Sequence, residues 1–359
     1  MTKRLASLGY SSFFADQVAT ICIADSRQFI SRGEAGSPLV PYRVATRARN
    51  RLLLLGKTAE PIWADMRGRL YKIGNQAAVG DWVLACTRSD GDGVVEHVLD
   101  RQSSLTRQAA GRRTESQVIA ANLDIVFVVA SANSELNVRR LERYLTAVWD
   151  GGCTPVVVIN KTDLGNVSTI RERLAGTAKT TQVVYSCAKS GDVEALRALL
   201  AIGKTAAFVG SSGVGKSTLI NALYGHQIQK TGKIREDDDR GRHTTTAREL
   251  IVTKDIGLLI DTPGMRELAL WEGEQGILQA FSDIEKISDR CRFRNCAHAG
   301  EPGCAVTLAL ASGELATERF NSYANLKEEI ATHKDRRHGG HSSRANSGKV
   351  NSSQKKKPR

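Results

Sequence analysis

The sequence predicts a doubly wound α/β domain, preceded by a small β-barrel and followed by a mostly helical region that carries a metal site. Three observations make that prediction. From about residue 122, near-continuous apolar strands alternate with helical segments, the pattern of a parallel sheet covered on both faces. Between Leu39 and Leu105, short β-like runs are separated by turn signals. Three cysteines and a histidine fall between Cys291 and Cys304.

In order, residues 1–38 hold a weak helical pattern around Leu8, Phe13 and Val18 and then a Gly/Ser-rich stretch ending at Pro38, which predicts a loosely ordered, partly disordered arm. Residues 39–110 hold the runs YRVATRA, RLLLLGK, LYKIG, DWVLACT and GVVEHVLD. Five short strands in so few residues suit an oligonucleotide-binding (OB) five-stranded barrel, although other small barrels share the pattern. Residues 111–275 read LDIVFVVAS, a helix through Arg139–Trp149, TPVVVIN, a helix near Thr169–Leu174, TQVVYS, a helix through Val193–Leu200, TAAFVG, a helix from Lys216 to Leu223, RELIVT and GLLIDT. Residues 276–331 are mostly helical and interrupted by the cysteines. From 332 to 359, Ser, Gly, Asn, His and Lys leave too few apolar groups to offset ordering entropy, so a disordered basic tail is expected.

Charge is unevenly spread. Residues 1–123 hold 17 Lys+Arg against 11 Asp+Glu, and residues 331–359 hold 9 against 1, so the flanks carry +6 and +8 of the net +13 and the centre is close to neutral. Positive flanks suit a polyanionic partner, nucleic acid first. No apolar run approaches the roughly 18 residues of a membrane span, and the N-terminus lacks the pattern of a signal or transit peptide. A cytoplasmic protein without a membrane partner is expected. Seven cysteines, an odd number, fit a reducing compartment better than a disulfide scaffold.

The strongest motif is Gly210-Ser211-Ser212-Gly213-Val214-Gly215-Lys216-Ser217-Thr218, which follows a strand and opens a helix. Glycines let successive backbone N–H groups turn inward on phosphates, and the helix N-terminus adds its positive end. Lys216 would reach the β- and γ-phosphates, and the Ser217 hydroxyl would ligate Mg²⁺. Downstream, Asp261-Thr262-Pro263-Gly264 places a carboxylate for Mg²⁺ and, at Gly264, an N–H for the γ-phosphate. Between them, 228–247 is polar and ends in Gly241-Arg242-His243-Thr244-Thr245-Thr246, the composition of a switch that closes over nucleotide. Any of the three threonines could ligate Mg²⁺; Thr245 is the preferred candidate.

Base selection points to Asn160-Lys161-Thr162-Asp163, at the end of a strand. The Asp163 carboxylate can accept from both N1–H and the 2-amino group of guanine, a donor pair that adenine lacks. Ser186-Cys187-Ala188-Lys189, after the next strand, would support the base from its other side. Both elements precede the phosphate loop, whereas ordinary small GTPases begin with it. The chain is therefore read as circularly permuted, a rearrangement that neighbouring domain termini permit. Met265 stands where many GTPases place a water-orienting glutamine, so intrinsic hydrolysis should be slow, with His243 or a partner positioning the water.

Cys291, Cys296, His298 and Cys304 supply three sulfurs and a nitrogen, the donor set of a closed structural zinc site, one ion per chain. Arg292, Phe293 and Arg294 within that loop would offer charge and a stacking face to RNA.

The set GSSGVGKST, GRHTTT, DTPG, NKTD and SCAKS in permuted order, with a barrel before it and Cys-x4-Cys-x-His-x5-Cys after it, closely resembles the ribosome small-subunit-dependent GTPase A (RsgA) family over roughly residues 39–330. The resemblance implies an OB-fold, a circularly permuted P-loop GTPase domain and a zinc-binding helical domain. It further implies binding to the 30S subunit and its 16S rRNA, GTP hydrolysis stimulated by that subunit, and a role in late 30S maturation. On the same ground His243 is a catalytic candidate beside Lys216, and a hydrophobic residue at Met265 is normal. The chain is read as a monomer. Two alternatives remain: a GTPase acting on another RNA or the large subunit, and a nucleotide-gated RNA-binding protein with little turnover.

Overall fold

The computed structural model describes residues 2–32, 38–48, 51–72, 74, 76–88, 91–108, 116–133, 136–225, 248–253, 255–261 and 274–342. Helices α1 (Lys3–Ser7) and α2 (Ser12–Arg32) occupy much of the partly disordered arm expected over 1–38, whose Gly/Ser-rich stretch at 33–37 lies outside the described residues. Leu5, Leu8, Tyr10 and Phe14 are buried, with the Tyr10 and Phe14 rings 4.9 and 5.8 Å from that of Trp82. The four anchors straddle a turn at Gly9, so they follow no single helical period and leave no clean amphipathic signature.

The barrel comprises β1 (Val40–Ala48), β2 (Arg51–Leu55), β3 (Ile62–Met66), α3 (Gly68–Lys72), β4 (Trp82–Thr87) and β5 (Gly93–Val98). The strand order is β1-β2-β3-β5-β4, and a β1–β4 pairing closes it. Val44, Leu52, Leu54, Ala64, Val83 and Val95 fill the interior at every second position. The expected strand LYKIG is instead helix α3, which contributes Leu70 to this core, while the third strand is Ile62–Met66. Asp65 masks that strand in the sequence, yet it belongs on the outer face, where Arg51 and Arg88 approach it.

A hairpin of β6 (Ser104–Gln108) and β7 (Ser116–Ala121) follows. The expected domain boundary at 110/111 falls between its strands. The central domain then runs β8 (Ile125–Ser131), α4 (Val138–Asp150), β9 (Thr154–Asn160), α5 (Val167–Arg173), α6 (Ala175–Ala178), β10 (Gln182–Tyr185), α7 (Glu194–Arg197), β11 (Thr205–Val209), α8 (Lys216–Tyr224), β12 (Glu249–Val252) and β13 (Leu258–Asp261). Its order is β10-β9-β8-β11-β13-β12. Both faces are buried: Val126, Val128 and Val157 line one core, and Phe127, Val129 and Phe208 the other. The sheet is parallel except at β12, which runs antiparallel to β13. The short link between those two strands cannot hold the crossover that parallel pairing requires. β12 also meets β1 at Glu249↔Thr46, joining sheet and barrel.

The C-terminal region holds α9 (Glu274–Ala280), α10 (Ser282–Ser288), α11 (Ala305–Ser312) and α12 (Thr317–Ser342). Helix α12 runs on to Ser342, into the disordered tail expected over 332–359, of which 343–359 lies outside the described residues. Tyr323, Leu326 and Ile330 anchor its first half in the core, and extending a formed helix costs less than starting one.

Each flank docks on the central domain around a buried arginine. At the barrel seam, Arg43 donates to the carbonyls of Leu8, Gly80 and Asn122 and lies 5.8 Å from the Trp82 ring centroid. At the C-terminal seam, Arg319 donates to Glu142 at 2.6 Å and Asp283 at 2.9 Å, to the Ala280 carbonyl at 2.7 Å, and covers Phe281 at 4.3 Å.

Candidate functional site

The order of strand addition reverses between the parallel neighbours β8 and β11: β8, β9 and β10 build outward on one side, β11 and β13 on the other. In open α/β sheets, ligands bind at the carboxyl ends of the strands at such a switch point. The loop 210–215 leaves β11 there and enters α8 at Lys216. Two of its glycines are required by close backbone approach. Gly210 has φ +140° and a Cβ would lie 2.2 Å from the Val129 carbonyl oxygen; Gly215 has φ +96° and a Cβ would lie 2.3 Å from Asn160 Nδ2. Lys216 Nζ donates to the carbonyls of Gly210 and Ser211 at 2.9 and 2.7 Å, so the ammonium sits over the mouth of the loop.

Asn160, 2% exposed, braces three loops. Its Nδ2 donates to the Val214 carbonyl at 2.9 Å and its Oδ1 accepts from the Ala188 N–H at 3.1 Å. Lys161, at φ +61°, donates to the Gly213 carbonyl at 2.7 Å, and Thr162 Oγ1 donates to the Ser186 carbonyl at 3.3 Å. Asp163 is exposed and accepts from the Cys187 thiol at 3.3 Å. Ser186 is buried and donates to the Asp192 carbonyl, while Lys189 is exposed. Residues 160–163, 186–189 and 210–216 thus form one connected rim, with the Asp163 carboxylate facing outward.

Asp261 ends β13, which pairs with β11 as far as Ile260↔Ala207, so its carboxylate follows beside the strand that feeds the phosphate loop. Ser217 and Thr218 lie in the first turn of α8. His243, Thr245, Gly264 and Met265 lie outside the described residues.

The predicted metal ligands do converge. The donor atoms of Cys291, Cys296, His298 and Cys304 all lie within 4.8 Å of one another. Cys291 Sγ is 3.7 Å and Cys304 Sγ 3.5 Å from His298 Nδ1, and the two sulfurs are 4.0 Å apart. A tetrahedral centre with metal–sulfur bonds of ~2.3 Å and metal–nitrogen bonds of ~2.0 Å requires separations of ~3.5 Å and ~3.8 Å, so the donor set fits. Ser288 Oγ, 2.7 Å from His298 Nε2, fixes the ring with Nδ1 toward the sulfurs. Burial opposes a thiolate at Cys304, but hydrogen bonds from Thr307, His298 and Cys296 outweigh it and bring the thiol down to about 6.

The model of the RsgA GTPase family matches residues 98–271. A small ribosomal subunit biogenesis GTPase RsgA of Methanosarcina acetivorans is 42% identical over 273 residues, 75% of this chain and 74% of the relative. The chain belongs to the RsgA GTPase family. It is a GTP-hydrolysing enzyme of circularly permuted fold. Among solved structures, YjeQ from Thermotoga maritima is 27% identical with a TM-score of 0.63, covering 82% of this chain and 99% of that one. YloQ, a circularly permuted GTPase, is 28% identical with a TM-score of 0.61, covering 83% and 96%.

In this RsgA-family chain the sequence reading missed one contact at the phosphate loop. Arg140, in the first turns of α4, donates to Ser211 Oγ at 3.1 Å. No local motif marks it, because the contact spans 71 residues and depends on how α4 lies across the crevice. Among the described residues, no helix is long and apolar enough to cross a membrane.

Proposed function

We propose that this GTPase acts in late maturation of the 30S ribosomal subunit, binding the subunit and its 16S rRNA and hydrolysing Mg²⁺-bound GTP under the subunit's stimulation. The observation that carries the reading is the rim braced by Asn160, which sets the NKTD loop, the SCAKS loop and the phosphate loop around one crevice. On this reading Asp163 accepts from N1–H and the 2-amino group of guanine, with 186–189 supporting the base. The N–H groups of 210–216 and the Lys216 ammonium hold the β- and γ-phosphates, Lys216 exchanging its two loop carbonyls for phosphate oxygens. Ser217, Asp261 and Thr245 hold Mg²⁺, Gly264 senses the γ-phosphate, and His243 orients the attacking water. Mg²⁺ neutralises charge that develops on the transferring phosphoryl group. Cys291, Cys296, His298 and Cys304 hold one structural zinc, with every position taken by protein. The relatives' name supports the subunit partner. The protein works as a cytoplasmic monomer.

Two substitutions test the assignment. Lys216→Ala should abolish most GTP turnover. Asp163→Asn should weaken GTP binding at least ~10-fold, the worth of one charge-assisted hydrogen bond, and favour xanthosine triphosphate, whose 2-oxo group accepts from an amide. Wild-type base preference in Asp163→Asn would reject the guanine contact.

A further inference from the structure

A cationic cleft lies where barrel, hairpin and central sheet meet, its Arg248 next in the chain to Glu249, which pairs with Asp261. Arg47 on β1, Gln117, Val118 and Ile119 on β7, and Arg248 just before β12 line a cavity of about 110 Å³. That is well below the ~300 Å³ at which small-molecule sites begin, and several times the ~30 Å³ of one water. It has room for a single oxyanion. Among the described residues, its lining holds two guanidinium groups and no carboxylate.

The arginines are positioned. Arg47 donates to Gln76 Oε1 at 2.7 Å and the Ala77 carbonyl at 3.2 Å. Gln117 Oε1 accepts two hydrogen bonds from Arg107, at 3.0 and 2.8 Å, and so brings a third guanidinium to the cleft. Burial, and then the charges of Arg107 and Arg47, hold Arg248 below the usual arginine value. Three guanidinium groups whose charges bear on one another are a repulsive arrangement that a bound anion would relieve. Arginine forks match phosphate oxygens in pairs.

We propose that this cleft binds a phosphodiester phosphate of an RNA backbone, gripped by Arg47 and Arg248 with Arg107 at the rim. The inference rests on the proposed RNA-bearing partner and names the residues through which the barrel side of the molecule holds it. Because Arg47, Arg107 and Arg248 come from three separate units, the grip exists only when barrel and hairpin are docked on the central domain.

The test uses the full-length protein and a labelled single-stranded RNA 12-mer, with affinity measured from about 50 to 200 mM salt. The double variant Arg47→Gln/Arg248→Gln should bind at least ~10-fold more weakly and lose about 0.7 from the slope of log K against log salt, one single-strand phosphate's worth. The exposed pair Lys179→Gln/Lys286→Gln removes the same charge elsewhere and should leave the slope unchanged. Arg47→Lys/Arg248→Lys should keep the slope and still lose affinity, because it keeps charge without the fork. Thermal melts check that each variant is folded.

Inorganic phosphate at constant ionic strength should displace RNA from the wild type more effectively than from the double variant. Equal RNA affinity and slope in the wild type and the double variant would overturn the proposal, and phosphate binding without RNA binding would overturn its RNA part. If 30S subunits fail to stimulate turnover while the cleft still binds RNA, the proposed function falls and this site stands. If stimulation persists and the double variant binds RNA normally, only this site falls.

Discussion

Arg43 and Arg319 are both buried cations at domain seams, and they are neutralised by opposite means. Arg43, 1% exposed, donates to three backbone carbonyls and lies against the face of Trp82, and Asp124 and Asp81 attract it without a hydrogen bond. Burial draws its pKa down to about 10. Arg319, 6% exposed, sits between the carboxylates of Glu142 and Asp283. The barrel is thus attached by dipoles and apolar packing, while the C-terminal region is attached by a charge network in which each member depends on the others. A buried ion pair adds little net stability when intact but is costly to break from one side.

The charged seam is also the one wired to the nucleotide crevice. Helix α4 presents Arg140 to Ser211 of the phosphate loop, Glu142 to Arg319, and Arg143 to Glu329 of α12 at 2.7 Å. One helix therefore touches both the phosphate loop and the C-terminal region. The barrel seam is instead stitched through α1, β1 and the turn before β4.

The largest effect should come from stripping the metal proposed at Cys291, Cys296, His298 and Cys304. A strong chelator should expose 276–331 to limited proteolysis while the barrel stays protected, because structural zinc contributes ~10 kcal/mol or more to the folding of small metal modules. An unchanged digest from protein shown to be metal-free would remove the basis for treating that region as metal-dependent. Next, Arg319→Met leaves the buried Glu142 and half-buried Asp283 carboxylates without their cation and should cost about 3–5 kcal/mol in denaturant unfolding. Arg43→Met strands three neutral carbonyls and leaves Asp124 and Asp81, which attract Arg43 without a hydrogen bond to it, so its cost should be about 1–3 kcal/mol. Equal costs at the two positions would break the contrast between the seams.

Much of the central domain is legible in the sequence because its signals are local. Strands such as Val156–Ile159 are apolar throughout, and the phosphate loop and NKTD carry their chemistry within a few residues. The four metal donors are also local, and they meet in space as their spacing predicts. What stays hidden is non-local. No local pattern marks Arg43 or Arg319 as buried, because their partners are distant in the chain. Strand Ile62–Met66 is masked by an outward Asp65, and Leu70 serves the barrel core from a helix instead of a strand. The reversed direction of β12 depends on a short turn, which apolar patterning does not report.

Steady-state hydrolysis of GTP and ATP, by the protein alone and with purified 30S or 50S subunits, tests the central claim most directly. Turnover should be slow for the protein alone and strongly stimulated by 30S only, and confined to GTP. Equal stimulation by 50S, or equal use of ATP, would contradict it.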